Sequence, residues 1–231
     1  MKKMITMAAL MTFTLAVAQE NKEKPDSGFS KGAIFIEGQL SFSNTKTIGE
    51  KEGVELGEQK LSSVTFSPKA GYFFTDKLAA GIEFSILSSK QTTTLFSDVA
   101  GEPDDVEEMK GNGFTANIFA RYYFLKLGKR FDAYTELGVG FGSIKEKETK
   151  DNETKNTNVK GYSTTLDLGI NYFVSPKIAI SFTLANVLEY SNMKIENDQD
   201  QSKITISGFR GDLNVFKNFF DTPTFGLLYK F

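Results

Sequence analysis

From Gly32 to Phe231 the chain alternates apolar side chains with small or polar ones in windows of about ten residues, and no window there supports a long amphipathic helix. Ile34, Ile36, Leu40 and Phe42 share one face, with Glu37, Gln39, Ser41 and Ser43 on the other. Phe66, Pro68, Ala70, Tyr72 and Phe74 oppose Thr65, Ser67, Lys69 and Gly71. Leu78, Ala80, Ile82, Phe84 and Ile86 oppose Ala79, Gly81, Glu83 and Ser85, and Phe114, Ala116, Ile118, Ala120, Tyr122 and Phe124 oppose Thr115, Asn117, Arg121 and Tyr123. Four further windows follow: Phe131 to Phe141, Leu166 to Tyr172, Ile178 to Leu184, and Phe225 to Phe231. The chain therefore offers eight strand candidates, an even number, each with two unlike faces.

Connection lengths choose the architecture. Long polar links (Asn44 to Lys60, Lys90 to Asn112, Ile144 to Lys160, and Ser191 to about Phe220) alternate with tight ones at Thr75-Asp76-Lys77, Lys126 to Arg130, and Val174-Ser175-Pro176-Lys177. An antiparallel meander with long loops at one end and short turns at the other is the plan of a transmembrane barrel. A sheet facing lipid must close on itself, because an unpaired backbone N–H or C=O in hydrocarbon costs several kcal/mol. Strands of about 9 to 11 tilted residues cross the core, which is the length of these windows. Tyr72, Phe74, Tyr122, Phe124, Tyr172, Tyr229 and Phe231 gather at the short-turn ends, where an interfacial aromatic girdle belongs. The expected fold is all-β: an up-and-down transmembrane β-barrel of eight antiparallel strands, with long extracellular loops and short periplasmic turns.

Composition removes most catalytic chemistry. The 231 residues include no His, Cys or Trp, so no Ser-His-Asp triad, Cys-His dyad, imidazole metal site or disulfide exists here. The 27 basic and 29 acidic residues nearly balance, which excludes a basic nucleic-acid binder. The sequence calls for no enzyme, cofactor or metal site. Residues 1–18 carry Lys2 and Lys3, an apolar stretch from Met4 to Val17 and Ala16-Val17-Ala18, the form of a cleaved signal peptide. Residues 19–31, with Pro25, Asp26, Ser27 and Gly28, read as a polar, exposed lead-in, and residues 32–231 as the barrel domain.

Two segments carry a resemblance. Ser67-Pro68-Lys69-Ala70-Gly71-Tyr72-Phe73-Phe74-Thr75-Asp76-Lys77-Leu78-Ala79-Ala80-Gly81 and Phe225-Gly226-Leu227-Leu228-Tyr229-Lys230-Phe231 resemble small outer-membrane β-barrel proteins of the Bacteroidetes porin family, which share the eight-stranded plan of the outer membrane protein A barrel. The resemblance spans Gly32 to Phe231 and implies a bacterial outer-membrane location and a barrel without a peptidoglycan-binding domain. It also implies that Leu227, Tyr229 and Phe231 form the C-terminal signal read by the barrel-assembly machinery. Outer-membrane lipids and that machinery are the expected partners, with no nucleic acid, and the barrel is expected to be a monomer.

An eight-stranded barrel is just wide enough for side chains to fill it. The inward positions Glu37, Lys69, Glu83, Arg121, Glu136 and Asp167 mix both charge signs on neighbouring strands, which points to an ion-pair network centred on Arg121 that closes the lumen. Gly138, Gly140 and Gly142 fall inward on one strand, where Tyr123 or Phe119 is expected to take the vacated space. Lys90 to Asn112 is acidic, with Asp98, Glu102, Asp104, Asp105, Glu107 and Glu108 against two lysines. Neither it nor Asn197-Asp198-Gln199-Asp200 has the spacing of a calcium loop. The segment Lys203 to Phe220 either extends the last hairpin or adds strands. The competing reading is an exported soluble barrel of lipocalin type around a small apolar ligand, which would need the apolar face inside. The alternation alone does not say which face is which.

Overall fold

A computed structural model describes residues 28–97, 105–150, 153–198, 202–211 and 224–231. The signal-peptide segment, most of the lead-in, Asp98, Glu102, Asp104, Gln199 and Asp200 lie outside these residues.

Among the described residues, nine β segments make a ring of eight staves. They are β1 (Ile34–Lys51), β2 (Val54–Phe73), β3 (Leu78–Leu95), β4 (Asp105–Leu127), β5 (Phe131–Lys150), β6 (Glu153–Phe173), β7 (Ile178–Asn197), β8 (Lys203–Gly211) and β9 (Thr224–Lys230). Each of β1 to β7 pairs antiparallel with the next. The eighth stave is in two pieces along β7: β8 pairs with Leu188–Glu196, and β9 with Ile178–Thr183. β9 also pairs with β1 over Phe35–Ser41, which closes the ring. Lys203 to Gly211 thus extends the last hairpin, one of the two alternatives the sequence left open, and residues 212–220 of that segment lie outside the described residues.

The long connections are not irregular loops over most of their length. The β1–β2 ladder runs up to Lys51 opposite Val54, and the β5–β6 ladder up to Lys150 opposite Glu153, so staves of 18 to 23 residues stand well clear of a membrane core. Alternation does not reveal these extensions, because a hairpin wetted on both faces has no need for one apolar side. The β1–β2 hairpin turns on Glu52 and Gly53, both at positive φ (54° and 83°), the backbone of a two-residue primed turn. At the other end, two tight turns use one device. Thr75 Oγ1 accepts from the N–H of Leu78 at 2.9 Å, and Ser175 Oγ accepts from that of Ile178 at 3.1 Å.

The outer wall is apolar through the middle. Ile118 is 66% exposed, Ile86 62% and Phe141 60%, while Arg121 and Tyr134 on the inner wall are fully buried. This inverts the layout of a water-soluble fold, where large apolar chains sit inside. It also removes the reading of a soluble carrier with a greasy lumen. Tyr72, Phe74, Tyr122, Phe124, Tyr229 and Phe231 are exposed at the short-turn border. A second aromatic row, Phe42, Phe114, Phe141, Tyr162, Tyr190 and Phe209, marks the upper border. Phe114 to Phe124, Phe131 to Phe141 and Tyr162 to Tyr172 each span the 11 residues that a tilted strand needs to cross hydrocarbon.

Candidate functional site

The lower lumen is filled by aromatic rings. Phe35, Phe73, Tyr134 and Phe173 are fully buried, with Phe119 and Tyr123 nearly so. Phe29 enters from the short-turn side, stacked on Phe73 at 4.3 Å between centroids and 4.7 Å from Tyr123. Lys31 N donates to Asp76 Oδ1 at 2.7 Å, which ties this end of the lead-in to the β2–β3 turn. The expectation of a wholly exposed lead-in is therefore corrected at Phe29, whose ring has no better shelter than the open barrel end.

Glycines create the room for these rings. A Cβ on Gly71 would stand 2.4 Å from Phe35 Cε1, one on Gly81 2.7 Å from Phe119 Cζ, and one on Gly169 2.3 Å from Tyr134 Cζ. The space at Gly140 and Gly142 goes instead to Asn117 and Thr115, and that at Gly138 to Thr165. Neither Tyr123 nor Phe119 fills it as the sequence suggested. At Gly140 and Gly142 the register explains why: Asn117 and Thr115 lie directly across from them.

Above the rings lies a layer of charge. Arg121 Nε donates to Glu136 Oε2 at 2.6 Å, and Arg121 Nη2 lies 2.8 Å from Glu37 Oε2 without hydrogen-bond alignment. Lys69 Nζ reaches Glu136 Oε1 at 2.5 Å and Glu83 Oε2 at 2.7 Å. The resulting chain is Glu37–Arg121–Glu136–Lys69–Glu83. Lys69–Glu83 and Arg121–Glu136 join neighbouring staves, facing each other directly in the register. Arg121–Glu37 joins β4 to β1 and Lys69–Glu136 joins β2 to β5, so both span three staves of an eight-stave ring and cross the lumen. Asp167 stands opposite Glu136 in the β5–β6 register, and its carbonyl accepts from Thr135 Oγ1 at 3.0 Å. Arg121 and Lys69 form ion pairs with the three glutamates.

Buried charges persist only when paired and hydrogen-bonded. Here a polar collar completes the pairing. Gln39 Nε2 donates to Glu37 Oε1 at 2.8 Å and to Thr183 Oγ1 at 3.0 Å, and Asn117 Nδ2 donates to Glu83 Oε1 at 2.8 Å. Tyr134 OH and Thr183 Oγ1 share a bond of 2.7 Å. Asn171 Nδ2 donates to Tyr123 OH at 2.8 Å, and Asn171 Oδ1 accepts from Ser181 Oγ at 2.9 Å. The Arg121 guanidinium also lies 4.1 Å from the Tyr134 ring centroid, a cation–π contact made stronger by exclusion of water. Gln39, Tyr134, Asn171, Ser181 and Thr183 were not singled out from sequence. Their inward parity was the available signal, and partners across a lumen cannot be read from spacing.

At the C-terminus, Leu227, Tyr229 and Phe231 point outward, 45%, 36% and 63% exposed. Phe231 N donates to Ile34 O at 2.9 Å, sealing the closing seam against the first strand.

A family model for the outer membrane protein beta-barrel domain matches residues 5–209. The chain belongs to that family. Its barrel is thus an outer-membrane protein barrel, in keeping with the apolar outer wall. Among solved structures, it is similar to the outer membrane protein OprG from Pseudomonas aeruginosa, at 15% identity and a TM-score of 0.49, covering 88% of this chain and 98% of that one. It is similar to Ail, the attachment invasion locus protein of Yersinia pestis, at 12% identity and a TM-score of 0.39, over 87% and 99% of the two chains. Outer membrane protein W of E. coli gives 12% identity and a TM-score of 0.40, over 87% and 99%. Comparison with curated proteins gave no match.

Proposed function

We propose that this outer-membrane barrel is closed to bulk solute, and that it serves a structural or surface-interaction role with at most minor small-solute permeability. The observation that carries this reading is the two cross-lumen ion pairs, Arg121–Glu37 and Lys69–Glu136, directly above a lumen packed with rings. Residues strapped across the axis leave no continuous water column, and the barrel is of the size that side chains fill. No catalytic role is proposed: the chain has no histidine or cysteine, and the charged groups of the lumen are engaged with one another.

The finer parts of this reading are a monomeric barrel, export through a signal peptide cleaved after Ala18, and recognition of Leu227, Tyr229 and Phe231 by the barrel-assembly machinery. The likeness to Bacteroidetes porins belongs with them. The outward exposure of the three C-terminal side chains supports the assembly role, since an external machine can reach them. Planar-bilayer recording tests closure. The wild type is expected to show no steady large conductance, and Arg121→Ala to raise current. A steady large conductance unchanged by that substitution would remove the plug.

A further inference from the structure

Three lysine pairs stand directly opposite each other across neighbouring strands above the upper aromatic border: Lys46 and Lys60, Lys90 and Lys110, and Lys160 and Lys194. All six side chains occupy the outward set, and like charges directly opposite in a ladder destabilise it. Two of the pairs have their repulsion cancelled internally. Glu58 lies 3.0 Å from Lys46 Nζ and also pairs with Lys60, and Glu108 bridges Lys90 and Lys110. The third pair has no such carboxylate among the described residues. Glu196, two residues beyond Lys194, is engaged with Lys203 at 3.4 Å.

The place of the third pair is specific. On β6, Tyr162 lies two residues from Lys160 toward the bilayer, and on β7 Tyr190 lies four residues from Lys194. The two exposed rings sit 6.3 Å apart. Lys145 on β5 is the diagonal neighbour of Lys160, because its own register partner is Asn158. Three ammonium groups therefore share one patch of outer wall, immediately above a tyrosine border.

We propose that Lys160 and Lys194, with Lys145, bind the phosphate of an anionic glycolipid headgroup in the outer leaflet. The phosphate takes the place that Glu58 and Glu108 hold in the other two pairs. An ammonium is a compact point charge suited to a phosphate oxygen, and interfacial tyrosines sit at headgroup depth, so the patch faces lipid phosphate and not the lumen. The long lysine stems lie over apolar wall while the charges reach the polar layer. This assignment rests on the barrel being embedded in a membrane and is independent of whether the lumen conducts.

Full-length folded protein in nanodiscs of phosphatidylcholine with added bis-phosphorylated lipid A, or with the same glycolipid dephosphorylated, provides the test, with lipid retained after detergent extraction counted by native mass spectrometry. Wild type should keep the phosphorylated lipid, and K160Q/K194Q should lose at least about tenfold in retention, given the contribution of each lysine near an anionic surface. K46Q/K60Q should stay near wild type, and millimolar inorganic phosphate should not displace the lipid. The single K194Q variant, with a loss of about fivefold expected on the same basis, gives the same reading should the double variant fail to assemble. Equal retention by wild type and the lysine variants, equal retention of the dephosphorylated glycolipid, or displacement by inorganic phosphate would each overturn the assignment.

Discussion

The same staves behave as two different materials along their length. Between the aromatic borders, the wall is apolar outside, and charged, ring-filled and water-poor inside. Above the upper border, lysines and glutamates cover the outside, and the lumen side carries small and hydroxyl residues such as Ser43, Ser63, Thr45 and Thr47. The ladders from β1 to β7 run through both zones, so backbone pairing does not distinguish them. The solvent on each face does, and it sets how much each side chain matters.

The sharpest way to break the contrast is to remove one buried charge. Arg121→Met strips Glu37 of its cation in the low-dielectric zone and leaves Glu136 with Lys69 alone, and should destabilise the barrel by roughly 3–5 kcal/mol in urea unfolding from lipid vesicles. Lys46→Met in the outer hairpin, exposed on one side, should change stability by less than about 1 kcal/mol in the same measurement.

A steric pair comes next. A Cβ on Gly81 would meet the Ala70 carbonyl at 2.0 Å, and backbone cannot yield as a flexible side chain does. Gly81→Ala should therefore cost about 1–3 kcal/mol. Gly208 in the upper zone has nothing within 4 Å, and Gly208→Ala should stay within about 0.5 kcal/mol of wild type.

A smaller effect tests the outer electrostatics. Hydrogen bonds from Lys110 and then Lys90 hold the Glu108 carboxyl down at about 2, below the usual 4.5. A depressed carboxyl contributes above its unfolded value and loses that contribution as pH falls from about 4.5 toward 2. An NMR titration of Glu108 should show the low midpoint in wild type and a rise toward the ordinary value in Lys110→Met. Smallest of all, Glu52→Asn suits the positive φ of 54° better than glutamate and should stabilise the first hairpin by a few tenths of a kcal/mol, read as slower amide exchange near Gly53.

The contrast also explains what the sequence disclosed. In the membrane zone each face meets a different solvent, so Ile82, Phe84 and Ile86 could be told from Glu83 and Ser85 by parity alone, and with them the eight-stave ring and the inward set Glu37, Lys69, Glu83, Arg121 and Glu136. In the outer zone both faces meet water, so runs such as Lys145 to Lys150 carry no alternation in apolarity and their pairing up to Glu153 was invisible. The cross-lumen partners were hidden for another reason. Arg121 and Glu37 are 84 positions apart, joined only by ring closure, and which carboxylate stands across the lumen depends on stagger that no local spacing encodes. Phe29 was missed because one aromatic in a polar stretch has no period.

The face assignment carries all of this, and it can be measured at two adjacent residues. The chain has no cysteine, so spin labels at Asn117→Cys and Ile118→Cys report single sites on neighbouring, opposite faces of β4. In lipid vesicles the label at 118 should be relaxed strongly by dissolved oxygen and hardly by a water-soluble nickel chelate, and the label at 117 should be shielded from both. A label at 118 that the nickel chelate reaches freely, with the label at 117 in the oxygen-rich phase, would contradict the account.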